Sequence, residues 1–268
     1  MSPQVMGVLN VTPDSFSDGG DWSDRDAAVR RGREMLTEGA HVIDVGGEST
    51  RPGAEPVPAA DEIARVVPVI AALADDVEAS GARLSIDTRH ADVARAAVDA
   101  GATIINDVSA SLHHVAAATG AGWVAMHMQG TPGTMQDAPH YDDVVAEVLA
   151  ALWTKAEDAR AAGVEECWID PGIGFGKTFA HNWTLLAAID RFVDTGVPVA
   201  VGTSRKGFLG AALAAADDTE SAPRPDDRIE ASVTTALWAA TMGVAMIRVH
   251  DVAPTIIALD AQRVRSDR

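Results

Sequence analysis

The sequence is poor in lysine, in aromatic residues and in cysteine. Only three of its 268 residues are lysines (Lys155, Lys177 and Lys206), and its formal net charge is −18. Such an acidic chain disfavours nucleic acid or an anionic membrane surface as a partner, because both carry negative charge themselves. Where basic residues gather in a chain of this kind, the sequence indicates a small anionic ligand.

Secretory and membrane-spanning features are also lacking. No run approaches the roughly eighteen apolar residues of a membrane span, and the first residues lack the basic start and apolar stretch of a signal peptide. Cys167, the single cysteine, lies in an apolar, strand-like run, which predicts a buried and inert thiol. Together these absences predict a cytoplasmic protein.

What the sequence does contain is a repeat, in which a glycine is followed by a short apolar run. Each glycine stands where a left-handed C-cap would end a helix, and each run has the apolar character of a strand buried on both faces. Residues 5–11 supply one more strand, which makes eight, and helical patterns lie between the strands, for example at residues 27–38, 59–77, 141–161 and 227–242. The repeats begin at Gly39, Gly81, Gly101, Gly122, Gly163, Gly196 and Gly243.

The alternation of eight strands with helices predicts a parallel sheet closed into a single (β/α)8 TIM barrel over residues 1–268. The first and second βα loops are long, at residues 10–20 and 46–53. Loops of this length are either lids or solvated connections, and length alone does not decide between them. The acidic, Pro-rich stretch at residues 217–227 predicts a surface loop that leads to an extra helix in the seventh unit.

Nearly every predicted strand ends in a polar residue just before its loop. In a barrel these positions converge on the C-terminal face, where catalytic residues usually lie. A single Asp at a strand end is common, because loops often begin with Asp. A polar residue at eight strand ends in register favours an active site. The eight residues are Asn10, Asp44, Asp87, Asn106, His127, Asp170, Ser204 and His250.

Three basic side chains gather at the ends of the last two strands. Lys206, Arg248 and His250 stand there, where TIM barrels often bind phosphate. The alternative is that these cations pair with Asp251 or with other neighbouring carboxylates. In a chain with so few lysines we favour the anion site.

Residues 171–178 come close to the sequence of a phosphate-binding loop. They miss the pattern G-x-x-x-x-G-K-[ST] only because Pro171 replaces the first glycine. Proline removes an amide donor and the flexibility that such a phosphate cradle uses, and the stretch falls in the sixth unit of a barrel. We therefore expect Lys177 to have no part in nucleotide binding.

Seven motifs, in order along nearly the whole chain, resemble the dihydropteroate synthase family. The first two and the Ser-Arg-Lys element are highly specific in combination. The family condenses a dihydropterin methyl diphosphate with p-aminobenzoate and releases pyrophosphate. The motifs are NVTPDSFSDGG (10–20), GGESTRPGA (46–54), SIDT (85–88), IND (105–107), DPGIGFGKT (170–178), GTSRK (202–206) and RVHD (248–251).

The resemblance implies roles for individual residues of this sequence. It implies that Asp14, Arg51 and Lys206 are catalytic, that Asp14 faces the cation formed as diphosphate leaves, and that Asn10 binds Mg²⁺. The implied pterin-binding residues are Asp87, Asn106, Met126, Asp170, Gly202 and Lys206. The implied diphosphate-binding residues are Asn10, Arg248 and His250, and those of the p-aminobenzoate pocket are Thr50, Arg51, Pro52, Phe175 and Ser204.

The residue types of the implied pterin site suit the hydrogen-bonding groups of a pterin. A pterin edge presents N–H donors together with acceptors, so carboxylates and an Asn oxygen suit its donors while a lysine suits its acceptors. Because the amine would attack a cation left after diphosphate departs, the implied reaction needs no strong general base.

One stretch departs from the family, and two other functions compete. After Asp107-Val108-Ser109 the family usually continues with Gly-Gly and an Asp-Pro pair, whereas this chain reads ASLHH at residues 110–114.

The competing functions are a folate-binding methyltransferase barrel and a catalytically silent pterin-binding paralogue. The presence of Asp14, Arg51 and Lys206 disfavours the silent paralogue, and the TRPG and SRK elements disfavour the methyltransferase.

The expected partners are small-molecule substrates and a second copy of the chain. The family forms homodimers, which implies a homodimer here. Trp238 lies outside the apolar stripe of its predicted helix, and it is either part of that interface or simply a partly exposed side chain.

Overall fold

Parallel strands alternate with helices in the computed structural model, which describes residues 2–12, 20–49 and 53–266. The strands are β1 (Gln4–Asn10), β2 (Val42–Gly46), β3 (Arg83–Asp87), β4 (Ile104–Asp107), β5 (Gly122–Met126), β6 (Cys167–Asp170), β7 (Ala200–Val201) and β8 (Met246–Val249). The helices are α1 (Gly20–Thr37), α2 (Ala59–Ser80), α3 (Ala91–Asp99), α4 (His113–Thr119), α5 (Val144–Ala162), α6 (Phe179–Ala187), α7 (Ile189–Val193), α8 (Gly207–Ala216), α9 (Ile229–Thr241) and α10 (Val252–Ser266).

The strands form one closed barrel. They are ordered β6-β5-β4-β3-β2-β1-β8-β7, and the pairings are parallel, as between β1 and β8. A single parallel bridge between Ile169 and Val199 joins the ends of the sheet, where Ile169 N donates to the carbonyl of Pro198 at 2.9 Å. The predicted (β/α)8 barrel is confirmed.

Capping chemistry explains where the longer helices begin and end. The carboxylate of Asp143 accepts hydrogen bonds from the N–H groups of Val145 and Ala146 at the start of α5, which satisfies two backbone donors that the first turn leaves free. Gly163 ends α5 at a φ of 92°, a left-handed conformation that glycine adopts without strain. The repeated glycines therefore mark helix ends, as the sequence indicates.

The units that flank β6 and β7 are more elaborate than a simple repeat. Two helices, α8 and α9, lie between β7 and β8, and a second pair, α6 and α7, lies between β6 and β7; the sequence did not predict the second pair.

Cys167 is only partly buried, yet burial raises the pKa of its thiol to about 11, so it stays protonated at neutral pH. No described helix is long and apolar enough to cross a membrane.

The barrel interior is filled at its lower end. An inner cluster packs there, separate from the larger core between strands and helices. It closes the N-terminal side of the barrel, so that a site can open only toward the C-terminal ends of the strands. The cluster consists of Met6, Val42, Ile104, Val124, Trp168, Ala200 and Met246.

Candidate active site

The side chains that form the site lie in the layer directly above this inner cluster. Because side chains two positions apart in a strand point to the same face, the residue two places after each cluster member also points into the barrel. These residues are Val8, Asp44, Asn106, Met126, Asp170, Gly202 and Arg248. An apolar layer is thus followed by a largely polar one.

An open cavity of about 430 Å³, with part of the solvent at its mouth included, lies above this polar layer. All six predicted pterin-binding residues line it, together with residues predicted for the diphosphate and p-aminobenzoate sites. The lining residues are Val8, Asp87, Asn106, Val108, Met126, Asp170, Phe175, Gly202, Ser204, Lys206, Arg248 and His250.

Arg248 links two carboxylates at the base of the cavity. Its Nε donates to Asp44 at 2.6 Å and its Nη2 donates to Asp87 at 2.6 Å. Asp44 also accepts a hydrogen bond from Asn106 Nδ2 at 2.9 Å. Burial raises the pKa of Asp87 to about 7 against the attraction of Arg248, and Asp44 adds to the rise. The guanidinium keeps its charge, because Asp44 and Asp87 raise its pKa against the effect of burial.

Lys206 and Asp170 supply opposite charges on another side of the cavity. Lys206 Nζ donates to the carbonyl of Ile173 and lies 4.3 Å from the centroid of the Phe175 ring, a cation–π distance. Burial lowers the pKa of Lys206 to about 8, against the attraction of Asp170. Burial also raises the pKa of Asp170, one oxygen of which accepts from Gly172 N at 2.7 Å.

The glycines of the stretch 171–178 let it pack closely against the backbone that follows β5. Gly172 has a φ of +65°, and a Cβ there would lie 1.8 Å from the carbonyl oxygen of His127. Lys177 is 2% exposed, and its Nζ donates to the carbonyl oxygens of Phe175 at 2.9 Å and of His127 at 3.2 Å. Burial lowers the pKa of Lys177 to about 7. Lys177 is thus held inside the protein by backbone carbonyl groups, and its lack of a part in nucleotide binding stays a prediction.

Ser204 orients His250 at the rim of the cavity. Its Oγ accepts from His250 N at 3.2 Å and lies 3.1 Å from Nδ1. Burial and the charge of Arg248 lower the pKa of His250 to about 3, so the ring is neutral. In the tautomer that carries its proton on Nε2, the hydroxyl donates to Nδ1 and Nε2–H is a donor toward the cavity.

Arg248 pairs with neighbouring carboxylates, as the alternative interpretation of the basic cluster expected, but those carboxylates are Asp44 and Asp87. The cation that pairs with Asp251 is Arg205, at 2.7 Å. The structure describes no carboxylate within salt-bridge distance of Lys206 or His250.

Several predicted residues lie away from this lining. Asn10 ends β1, and a Cβ on Gly46 would lie 3.8 Å from its Oδ1 and 3.5 Å from Asp87 Cβ, so Asn10 borders the same face as Asp87. Asp14, Thr50, Arg51 and Pro52 lie outside the described residues. Asp44 stood among the eight strand-end residues but had no assigned role, and its contacts could be found only from the fold.

A separate group could hold a metal ion. Ligand atoms of Glu48, Glu62 and His90 lie within 4.8 Å of one another, while Arg89 already pairs with Glu48 through Nε at 2.9 Å and Nη2 at 2.8 Å. Burial raises the pKa of Glu62 to about 7, and the charges of Glu48 and Asp87 add to the rise. This group differs from the predicted metal ligand, Asn10.

The chain matches known proteins over almost its whole length. A family model described as "Pterin binding enzyme" matches residues 6–250. A curated dihydropteroate synthase from Mycobacterium leprae (strain TN) is 48% identical over 264 residues, which cover 96% of this chain and 91% of the relative. The chain belongs to the dihydropteroate synthase family.

Solved structures of dihydropteroate synthases share the fold. The Xanthomonas albilineans dihydropteroate synthase with 4-aminobenzoic acid has a TM-score of 0.89 and 44% identity, over 99% of this chain and 93% of that one. The same organism's enzyme in complex with 7,8-dihydropteroate has a TM-score of 0.85 and 41% identity, over 99% of this chain and 94% of that one.

The loop that follows β4 is organised by Asp107. Its Oδ2 accepts from Ser111 N and Leu112 N, both at 2.7 Å, and from Trp123 Nε1 at 3.1 Å. Ala110 takes a φ of +48°, a left-handed conformation that favours glycine. The loop therefore keeps a glycine-type turn without a glycine, and Asp107 holds it.

Proposed function

We propose that this chain condenses 6-hydroxymethyl-7,8-dihydropterin diphosphate with p-aminobenzoate, giving 7,8-dihydropteroate and pyrophosphate. The observation that carries the proposal is the convergence of three acceptors and one donor, from Asp87, Asn106, Asp170 and Lys206, in one cavity. The family relationship and the similar structures with 4-aminobenzoic acid and 7,8-dihydropteroate support it.

The pterin ring binds in the cavity through its polar edges. The carboxylates of Asp87 and Asp170 and the amide oxygen of Asn106 accept from ring N–H and amino groups, and Lys206 donates to ring acceptors. Met126 and Gly202 bound the slot for the flat ring. Buried polar groups of this kind discriminate strongly, because a ligand that leaves them unpaired loses affinity.

The diphosphate leaves on the side of the cavity that Arg248 and His250 line. Asp44 and Asp87 engage two nitrogens of the guanidinium, which leaves Nη1 for the leaving group, and neutral His250 offers Nε2–H. Donors fixed before the bond breaks stabilise the negative charge that develops on the departing oxygen. The methylene cation formed by this SN1-like step is delocalised into the dihydropterin ring and faces Asp14.

Mg²⁺ is the proposed cofactor, and the residues present fit it. Asn10 offers an amide oxygen beside Asp87, a hard oxygen ligand of the type that Mg²⁺ binds together with substrate phosphates. When bound, Mg²⁺ would neutralise charge on the diphosphate. A role for the cluster of Glu48, Glu62 and His90 is not part of this proposal.

The amine substrate would enter beside the pterin. Phe175 and Ser204 line the cavity mouth next to Lys206, and we propose that Thr50, Arg51 and Pro52 complete the p-aminobenzoate pocket. Arg51 suits the carboxylate of this substrate because a guanidinium binds a carboxylate through two parallel hydrogen bonds.

The proposal includes a cytoplasmic homodimer that acts on small molecules and does not bind nucleic acid. Trp238 on α9 is 44% exposed and Trp183 on α6 is 40% exposed. Trp238 Nε1 donates to the carbonyl of Leu186 in α6 at 3.0 Å, so these aromatic side chains lie on neighbouring helices. Exposed aromatic clusters often mark interfaces, and sedimentation velocity would test for twice the chain mass of 27.9 kDa.

Turnover of the two substrates tests the reaction. Purified protein with Mg²⁺ and both substrates is expected to form dihydropteroate, detected by chromatography, with one pyrophosphate per product. Lys206→Met should abolish turnover, while Lys155→Met on α5 should not change it. Pyrophosphate release without p-aminobenzoate at the same rate, or no dihydropteroate, would contradict the proposal.

A further inference from the structure

We propose that Asp44 is a positioning residue that sets the hydrogen-bonding pattern of the pterin site through Asn106 and Arg248. The inference rests on the proposed function and extends it to a residue that touches no substrate. Asp44 is fully buried and does not line the cavity, yet it contacts two residues that do.

Asp44 fixes which end of the Asn106 amide faces the ligand. An ionised carboxylate can only accept hydrogen bonds, so it must face the amide nitrogen, and Asn106 Nδ2 indeed donates to Asp44 Oδ2 at 2.9 Å. The amide oxygen is thereby turned away from Asp44 toward the cavity. The site then presents an acceptor at Asn106, as the pterin donors require.

The same carboxylate oxygen holds Arg248. Arg248 Nε donates to Asp44 Oδ2 at 2.6 Å, and the other end of the guanidinium pairs with Asp87. Asp44 therefore fixes the orientation of a planar cation through a charge-assisted hydrogen bond. An uncharged residue at position 44 would free Asn106 to rotate and would leave Arg248 with Asp87 as its one carboxylate partner among the described residues.

This arrangement makes Asp44 a determinant of specificity. With the amide oxygen in the cavity, Asp87, Asn106 and Asp170 all accept from the pterin, and Lys206 donates to it. A rotated Asn106 would present its NH₂ group to a ring N–H, and two donors facing each other in a buried site disfavour binding. Asp44 thus selects a ligand edge rich in N–H groups without contacting it.

An exchange of the two side chains tests the inference. Asp44→Asn should weaken binding of 6-hydroxymethylpterin at least about tenfold, the size of one lost charge-assisted hydrogen bond. Asn106→Asp should also weaken it, because two carboxylates would then face each other at the 2.9 Å contact. The double variant Asp44→Asn/Asn106→Asp restores a donor facing an acceptor at this contact and keeps an acceptor in the cavity, but it removes the acceptor of Arg248 Nε. It should bind more tightly than Asn106→Asp alone without reaching the wild-type affinity.

Two results would overturn the inference: wild-type affinity in folded Asp44→Asn, or a double variant whose losses are simply additive. A loss of packing at position 44 would not be repaired by a change at Asn106, so the exchange separates positioning from a structural role. Failure of the wild-type protein to bind the pterin would instead count against the proposed function.

A measurement on the wild-type protein applies even if a variant does not fold. The side-chain NH₂ signals of Asn106 should be protected from hydrogen exchange in the free protein and should shift little when the pterin binds, because they face Asp44. A large shift together with fast exchange would mean that the amide nitrogen faces the ligand, which contradicts the inference.

Discussion

Lys177 and Lys206 bind carbonyl oxygens only two residues apart in the same loop. Lys177 Nζ donates to the carbonyl of Phe175 and Lys206 Nζ to that of Ile173. Lys177 is 2% exposed, whereas Lys206 lines the cavity. The same loop therefore binds a buried lysine, Lys177, and a lysine that lines the cavity, Lys206.

The first prediction uses this difference. Lys177→Met should lower the thermal stability, because the buried carbonyl oxygens of Phe175 and His127 would lose a hydrogen-bond donor, but should leave the KM values within a few-fold. Lys206→Met should leave the protein folded and lower pterin affinity by orders of magnitude. Thermal unfolding and calorimetric titration check both variants, and ATP binding that disappears in Lys177→Met would overturn our interpretation of residues 171–178.

Asp170 can be replaced by a side chain of the same size, Asn, that has an NH₂ donor in place of one acceptor oxygen. One oxygen accepts from Gly172 N at 2.7 Å, so in Asp170→Asn the amide oxygen should take that contact and turn the NH₂ group toward the pterin. A donor facing a donor in a buried site should cost roughly 1–3 kcal/mol, or about 5- to 150-fold in affinity. Near-normal affinity by calorimetry would remove Asp170 from the pterin site.

Pterin binding should have a pH optimum between about 7 and about 8. Burial raises the pKa of Asp87 to about 7; the ionised form accepts the ligand N–H, so affinity should fall as the pH drops below that value. Burial lowers the pKa of Lys206 to about 8; the protonated form donates, so affinity should fall as the pH rises above that value.

Titration of a pterin across pH 5–10, with the ionisation of the free ligand measured in parallel, checks this optimum. Lys206→Arg keeps its charge over the whole range and should lose the alkaline decline, whatever its affinity at the optimum. An affinity that does not change with pH in the wild-type protein would show that neither group titrates in the site.

Gly174 provides a test of how Lys206 is positioned. Gly174 has a φ of +88°, and a Cβ there would lie 2.7 Å from Lys206 Cδ, so Gly174→Ala should displace the lysine and weaken pterin binding. Gly163→Ala is the matched control, because Gly163 also has a left-handed φ, of +92°, and a Cβ there meets nothing within 4 Å. Equal pterin affinity in the two variants would mean that Lys206 does not depend on this loop.

Local patterns were enough to predict the fold and most of the cavity lining. The repeated glycines mark helix ends, and alternation along β4 and β6 brings Asn106 and Asp170 to the same layer. Because strands in a barrel end on one face, a residue at a strand end can be assigned to the site without any knowledge of its contacts.

Long-range pairing is what the sequence could not supply. Asp44 and Arg248 are 204 residues apart, and Asp44 and Asn106 are 62 apart, so no periodicity links them. The burial of Lys177 depends on a hydrogen bond to His127, 50 residues away. The helix pair α6 and α7 was also missed, because Ala188 ends one short helix and begins the next without a proline or glycine.

The most direct measurement is a crystal structure of the protein with 6-hydroxymethyl-7,8-dihydropterin bound. Our account predicts the ring in the cavity above the inner cluster, with N–H groups within hydrogen-bond distance of Asp87, Asn106 Oδ1 and Asp170, and with Lys206 on a ring acceptor. A pterin bound elsewhere, or bound in this cavity without contacts to Asp170 and Asn106, would contradict it.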